Sequence, residues 1–325
     1  MKVGIVGCGL IGQKRADSIG GNTLVAVADT DITKAYYLAM KHTNVKVFSD
    51  YKELLKEDID IVIVATTNNA LATITLDAIN AGKHVLIEKP GATHYTQFDP
   101  LISAAKKNNV KVKVGYNLRY HIAINEAYHI ADIGKIGEIM FIRAHYGHGG
   151  RLGYEKEWRA DPSISGGGEL IDQGSHLIDL SRCFLGDIHL RSSSVKTYFW
   201  DMPVEDNAFM ILENTDGKIA FLSASCTEWK NTFQFEIYGK FGKLRIDGLG
   251  GSYGTEKLTL YEMSPEMGIP EITTWEYHKP DTSFEREFMS FVQAIKYDLD
   301  VWSDLEESQK TLKIIDEIYK NNQVK

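Results

Sequence analysis

The chain has 325 residues, 43% hydrophobic and 25% charged, with a net charge of −8. This is the make-up of a globular protein with room for about two cores, and the lack of any Lys/Arg block argues against nucleic acid or an acidic membrane as partner. Three scattered cysteines, Cys8, Cys183 and Cys226, form no CxxC pair; that argues against a disulfide framework or a structural metal and suits a reducing cytoplasm.

"KVGIV" (2–6) reads as a strand, followed by helical spacing from Ile11 to about Ile19. "TLVAVAD" (23–29) is a second strand, 31–40 a helix and "VKVF" (45–48) a third strand. "DIDIVIVAT" (58–66) is apolar on both faces, as a central parallel strand should be. A helix follows from about Asn69 to Ala81, then strands in "HVLIEKP" (84–90) and "VKVKVGY" (110–116). Alternating strands and helices predict a parallel sheet covered on both faces.

Between the first strand and helix lies "GCGLIG", Gly7 to Gly12, and Asp29 ends the second strand. That is the full dinucleotide-binding context. Gly7 permits a tight turn, Gly9 lets backbone approach a pyrophosphate, and Gly12 lets helix and strand pack. Leu10 and Ile11 open the helix, whose free N–H groups favour phosphate. Asp29 suits the ribose hydroxyls and repels a 2′-phosphate, and "DTD" (29–31) has no arginine to offset it, so NAD is favoured over NADP. Ligands of such sheets bind beyond the strands' carboxyl ends. There stand Thr66, Thr67 and Asn68 after the fourth strand, Glu88 and Lys89 after the fifth, and Asn117 and Arg119 after the sixth.

The pattern changes after Asn117. A helix over 120–132 precedes a strand at 138–146, with further strands near 192–200, 206–213, 217–226, 231–239, 242–247, 256–262 and 271–278. The expected fold is therefore α/β: a Rossmann domain over 1–118, then an α+β domain over 119–325 built on a large, mostly antiparallel open sheet. One face of that sheet needs a cover, so a homo-oligomer, dimer or tetramer, is expected. The stripe Phe284, Phe288, Phe291, Val292, Ile295 predicts a core helix, and Ser303 with Glu306 a capping box for the next one. "GLGGSYG" (248–254) lacks the Lys-Ser/Thr of a phosphate loop and reads as a plain loop.

In "GGGELIDQGSH" (166–176), Asp172 and His176 are four apart and share a helix face. Spacing leaves two readings open, a solvated ion pair or a working pair, and the glycines allow close approach of either a ligand or a tight loop. His145 and His148 with His176 could supply three imidazoles, but no carboxylate shows ligand spacing with them, so no metal is expected. His148 and Arg151, in "YGHGGRLGY", are candidates for substrate hydroxyls or a phosphate.

The glycine fingerprint, "EKP" after the fifth strand and the "GGG-x-L-x-D-x-G-x-H" helix together resemble the glucose–fructose oxidoreductase/inositol 2-dehydrogenase family over the whole chain. The resemblance implies a two-domain NAD(P)-dependent oxidoreductase acting on a sugar, nucleotide sugar or cyclitol hydroxyl. By position it implies Lys89, Asp172 and His176 as the catalytic set, all three also binding substrate. It places Glu88 and Asn117 close to the nicotinamide, and Trp158 and Arg159 near the cofactor. The chain departs from the family at "ATTNNALAT", where Thr67 stands for a proline and Leu71 for a histidine. His176 is then the expected general base, with Lys89 steadying alkoxide charge or itself acting as base. Two rivals remain: a glycosidase or lyase that recycles NAD through transient oxidation, and a dinucleotide-binding sensor without activity.

Overall fold

The computed structural model describes residues 1–323. The chain divides into two compact units: Met1–Asn117 with Ser163–Gly166 and Phe284–Leu312, and Leu118–Pro162 with Gly167–Ser283 and Lys313–Lys325. The first holds β1 (Lys2–Val6), α1 (Leu10–Asp17), β2 (Thr23–Ala28), α2 (Ile32–Ala39), β3 (Lys46–Phe48), α3 (Tyr51–Leu54), β4 (Ile61–Val64), α4 (Asn68–Asn80), β5 (His84–Glu88), α5 (Phe98–Asn108) and β6 (Val112–Gly115). All six strands run parallel in the order β3-β2-β1-β4-β5-β6. Their carboxyl ends therefore line one edge, and the order reverses between β1 and β4, where such sheets receive ligands. Every residue of β4 is buried, as its two-faced apolar run predicts.

In the second unit α6 (Ile122–Asp132) leads to β7 (Ile139–Gly147). After the single turn α7 (Pro162–Ser165), a π-helical turn at Leu170–Gly174 runs into α8 (Ser175–Leu185). Then come β8 (Ile188–Lys196), β9 (Asn207–Asn214), β10 (Ile219–Ser225), β11 (Thr232–Gly239), β12 (Gly242–Asp247), β13 (Glu256–Glu262) and β14 (Glu271–Tyr277). They form one sheet ordered β14-β13-β12-β11-β7-β10-β9-β8. Among its described residues only β7 and β10 pair in parallel. α8 packs on β7 and β10, and α6 on β12 and β13. On β7, β9 and β10, Phe141, Phe209, Ile219 and Phe221 are exposed. Among the described residues no helix is long and apolar enough to cross a membrane.

Three expectations change. The strand expected at 192–200 lies at Ile188–Lys196, because the amides of Tyr198, Phe199 and Trp200 donate to the Asp206 carboxylate instead of a ladder. α9 (Ser283–Lys296) buries Phe288, Phe291 and Val292 against Val3, Ile5, Val27 and Ile63, in the core of the first unit. Ser303 does not cap α10 (Leu305–Asn321). Asp304 does, accepting from the Glu307 amide at 2.9 Å, while the Ser303 hydroxyl donates to the Val114 carbonyl at 2.8 Å.

Candidate functional site

On the first unit the loop from Gly7 to Gly12 follows β1. Gly7 has φ +93°, and a Cβ there would lie 2.4 Å from the Ala65 carbonyl oxygen. A Cβ on Gly12 would lie 1.9 Å from the Gly7 oxygen, so helix and loop touch backbone to backbone. A Cβ on Gly9 would meet nothing within 4 Å, which leaves open space beside the start of α1. No side chain caps α1 and no acid sits in its first turn, so the amides of that turn, beginning with Leu10 and Ile11, face outward with the positive end of the helix dipole. Open space, uncapped amides and a nearby acid fit a dinucleotide pyrophosphate and its ribose.

That acid is Asp29. Its Oδ2 accepts from the Cys8 amide at 2.7 Å and its Oδ1 from the Asp31 amide at 2.8 Å. Each oxygen keeps a lone pair, so two ribose hydroxyls could still be bound. Cys8 is fully buried, and burial first, then Asp29, pushes its thiol up to about 12, so it stays an inert filler of the turn.

Past β4, Thr66 and Thr67 are half-buried, and Thr67 Oγ1 donates to Asn69 Oδ1 at 2.9 Å. Asn68, expected at the cofactor, donates its amide to the Ser165 carbonyl at 2.8 Å, tethering the 163–166 segment. Lys89 follows β5 across a cis bond to Pro90. Its neighbour Glu88 is bound by buried Arg15 at 2.5 Å, and Arg15 also grips Glu287 of α9 at 2.7 Å. Burial, the largest influence, would lower the Arg15 pKa, but the two carboxylates outweigh it and hold it charged. The sequence pattern hid this network because its members lie far apart along the chain. Asn117 opens the short helical turn Asn117–Tyr120 after β6.

On the second unit the three glycines make room for protein, not ligand. A Cβ on Gly168 would lie 2.0 Å from the Glu205 carbonyl oxygen, and one on Gly167 2.0 Å from the Tyr319 hydroxyl. Gly166, counted with the first unit, similarly abuts Thr93. Glu205 then serves the turn: its Oε1 accepts from the amides of Gly168 (3.1 Å) and Leu170 (3.0 Å) and from Tyr319 Oη (2.8 Å). Asp172 lies in the π-helical turn, so the regular helix expected across Asp172 and His176 begins only at Ser175. Asp172 Oδ2 accepts from Arg159 Nε at 3.2 Å, and the Arg159 guanidinium lies 4.6 Å from the Trp158 ring centre. His176 is 5% exposed with its ring edge-on to Tyr146, so it is no member of a solvated pair. Tyr146 in turn bonds Tyr253 from the glycine-rich loop read as plain; burial first, then Tyr253, raises the Tyr146 hydroxyl well above its ordinary range.

Glu169 is a further residue that sequence reasoning missed. Buried, it accepts from Tyr154 Oη at 2.8 Å and pairs with His148 Nε2 at 3.3 Å. Desolvation works against the His148 imidazolium, but Glu169 outweighs it and raises the His148 pKa. Two expected substrate ligands are otherwise engaged. Arg119 is 3% exposed and forks onto Asp179 at 2.8 and 2.6 Å, a buried structural pair. Arg151 forks onto Glu157 at 2.7 and 2.6 Å. His145 bonds Thr232 on the sheet face opposite Tyr146, so it cannot converge with His176.

Residues 1–116 match a sequence family described as an oxidoreductase family with an NAD-binding Rossmann fold, and residues 124–245 match the GFO/IDH/MocA C-terminal domain. Trans-1,2-dihydrobenzene-1,2-diol dehydrogenase of Xenopus tropicalis is 29% identical over 203 residues, 62% of this chain and 60% of that protein. Inositol 2-dehydrogenase of Salmonella typhimurium is 27% identical over 229 residues, 67% of this chain and 65% of that protein. The chain thus spans less than two thirds of the length of these relatives. Among solved structures, levoglucosan dehydrogenase in complex with NADH and levoglucosan superposes with a TM-score of 0.90 at 21% identity, covering 99% of this chain and 97% of that one.

Proposed function

The chain belongs to the GFO/IDH/MocA oxidoreductase family, and we propose that it reversibly oxidises a secondary hydroxyl of a sugar, nucleotide sugar or cyclitol with NAD as its redox partner. When bound, NAD supplies the acceptor for the hydride leaving the carbinol carbon. The observation that carries this reading is one edge of the parallel sheet, where the uncapped start of α1, the space at Gly9, Asp29 and Lys89 occur together. Gly7 to Gly12 hold the pyrophosphate and Asp29 the ribose. Asp29 also selects NAD over NADP, because its carboxylate repels a 2′-phosphate.

His176 takes the proton of the substrate hydroxyl, since a neutral imidazole nitrogen can accept one. Lys89 donates a hydrogen bond to the same oxygen and steadies the alkoxide charge. Asp172, aligned by Arg159, accepts from a neighbouring hydroxyl. Trp158, stacked under Arg159, keeps that guanidinium in place. The relatives named for inositol and dihydrodiol oxidation, and the sugar bound in the levoglucosan dehydrogenase structure, support a polyol substrate. The exposed Phe141, Phe209, Ile219 and Phe221 favour a second copy of the chain as the cover of the eight-stranded sheet. Three free cysteines suit a cytoplasmic location.

The test is Lys89→Ala with a panel of cyclitols, aldoses and anhydrosugars. NAD binding by calorimetry persists while turnover falls by roughly 10²–10⁴-fold. Near-normal turnover would remove Lys89 from the reaction, and substrate conversion without released NADH would turn the reading toward the glycosidase or lyase route.

A further inference from the structure

The second unit displays large aromatic side chains where solvent would normally keep them in. Trp229 is 69% and Phe199 55% exposed. Their rings meet edge to face at 4.8 Å; Phe199 meets Trp200 at 5.1 Å, and Trp200 meets Tyr154 at 5.5 Å. Tyr154 ends the series on Glu169, three residues before Asp172. A ladder of rings thus runs from open solvent inward to the segment that carries the proposed catalytic pair.

The outer rungs are built, not loose. The buried Asp206 carboxylate accepts from three successive amides, Tyr198 (2.9 Å), Phe199 (2.7 Å) and Trp200 (3.1 Å). Trp200 Nε1 donates to the Cys226 carbonyl at 3.0 Å, and the space beside its ring exists because residue 150 is glycine. Trp229 holds a left-handed φ of +59°, a conformation costly for a bulky side chain, and packs backbone to backbone against Gly149. Rigidly held, exposed aromatics mark a ligand surface.

We propose that this ladder is a subsite for a second, neutral sugar ring, so that the substrate is a glycoside of two or more rings. The proposal rests on the oxidoreductase reading above. An aromatic face stacks against the C–H face of a pyranose, and an indole and a phenyl in series accept the ring next to the one being oxidised. A nucleobase would stack equally well, but its diphosphate needs free cations. Both arginines of the adjoining loop are engaged, Arg151 by Glu157 and Arg159 by Asp172. Beside the aromatic residues in sequence, the acids Asp201 and Glu228 outnumber the one exposed cation, Lys230, so the local charge gives a diphosphate no net attraction.

Saturation-transfer NMR on the full chain with NAD present, using cellobiose, maltose and lactose, tests this without requiring turnover. Both rings of at least one disaccharide take up saturation in the wild type, and Trp229→Ala and Phe199→Ala lose it for one ring. Phe199→Ala, with ordinary backbone geometry, guards against misfolding of Trp229→Ala. Where a disaccharide is oxidised, the ratio of its kcat/KM to that of its monosaccharide falls about tenfold in either variant, as expected for one lost stacking contact. The subsite is overturned by one-ring saturation only in the wild type, by unchanged saturation in both variants, or by loss of an oligomer in the variants, which would make the patch a contact between copies. A chain that stacks disaccharides but reduces no NAD keeps the subsite and loses the oxidoreductase reading.

Discussion

Two glycine runs, Gly7 to Gly12 and Gly166 to Gly168, open two helical segments of this protein for opposite purposes. In the first, Gly7 and Gly12 bring backbone onto backbone, and the middle glycine, Gly9, faces open space. In the second, all three positions are filled from behind by Thr93, Tyr319 and Glu205. The first run leaves one position open, whereas every position of the second makes room for the protein itself. The same residue type at a helix start therefore carries no fixed meaning; what a Cβ would meet decides it.

The contrast can be broken by adding that Cβ. Gly168→Ala forces a side chain into the Glu205 backbone, and with no flexible atom able to yield, urea unfolding should show a loss of at least about 4 kcal/mol. A loss under ~1 kcal/mol would mean that the turn relaxes and the second run is not a packing device. Gly9→Ala is the counterpart. Stability stays within about 0.5 kcal/mol, because nothing lies in reach, while NAD affinity by calorimetry drops roughly tenfold or more. Unchanged NAD affinity would leave the open space without its proposed occupant.

The smallest effect separates the two runs by pH. Burial, opposed by its hydrogen bonds, pushes the Glu205 carboxyl up to about 7. Between its ordinary value, about 4.3, and that value, the folded protein binds more protons than the unfolded one. The stability this brings is complete at low pH and fades as pH rises through the folded value. The wild-type midpoint should thus fall a few degrees more between about pH 5 and pH 8 than that of Glu205→Gln, which cannot ionise. Parallel slopes would show that Glu205 is already charged when folded.

Much of the first unit was legible. Its strands are apolar on both faces and bounded by turns, and the glycine spacing with Asp29 has a chemical reading that needs no contact map. α9 shows the limit. Its stripe of phenylalanines announces burial, yet periodicity names a buried face without naming the partner, here the sheet more than two hundred residues earlier. The capping of α10 shows another: Ser303 and Asp304 are both capable caps, and only the carbonyl of Val114 decided between them. Around Asp172 and His176, four-residue spacing promised a shared helix face, but the turn there is held by the Glu205 carboxylate, which bonds amides 35 and 37 positions away.

Residue order alone therefore settles local features: the period of each element, the glycine-cleared turn before α1, the acid closing β2 and the residue types available for moving a proton. Which of those side chains are spent on the protein itself was decided only by tertiary structure. Arg119, Arg151 and Asn68 look like ligands in one dimension and are held by Asp179, Glu157 and Ser165 in three. Glu169, Asp206 and Tyr253 drew no notice in the sequence, yet they bond Tyr154, the 198–200 amides and Tyr146. The reason is physical: a buried charge or amide must find a partner wherever the fold brings one, and chain distance carries no record of that choice.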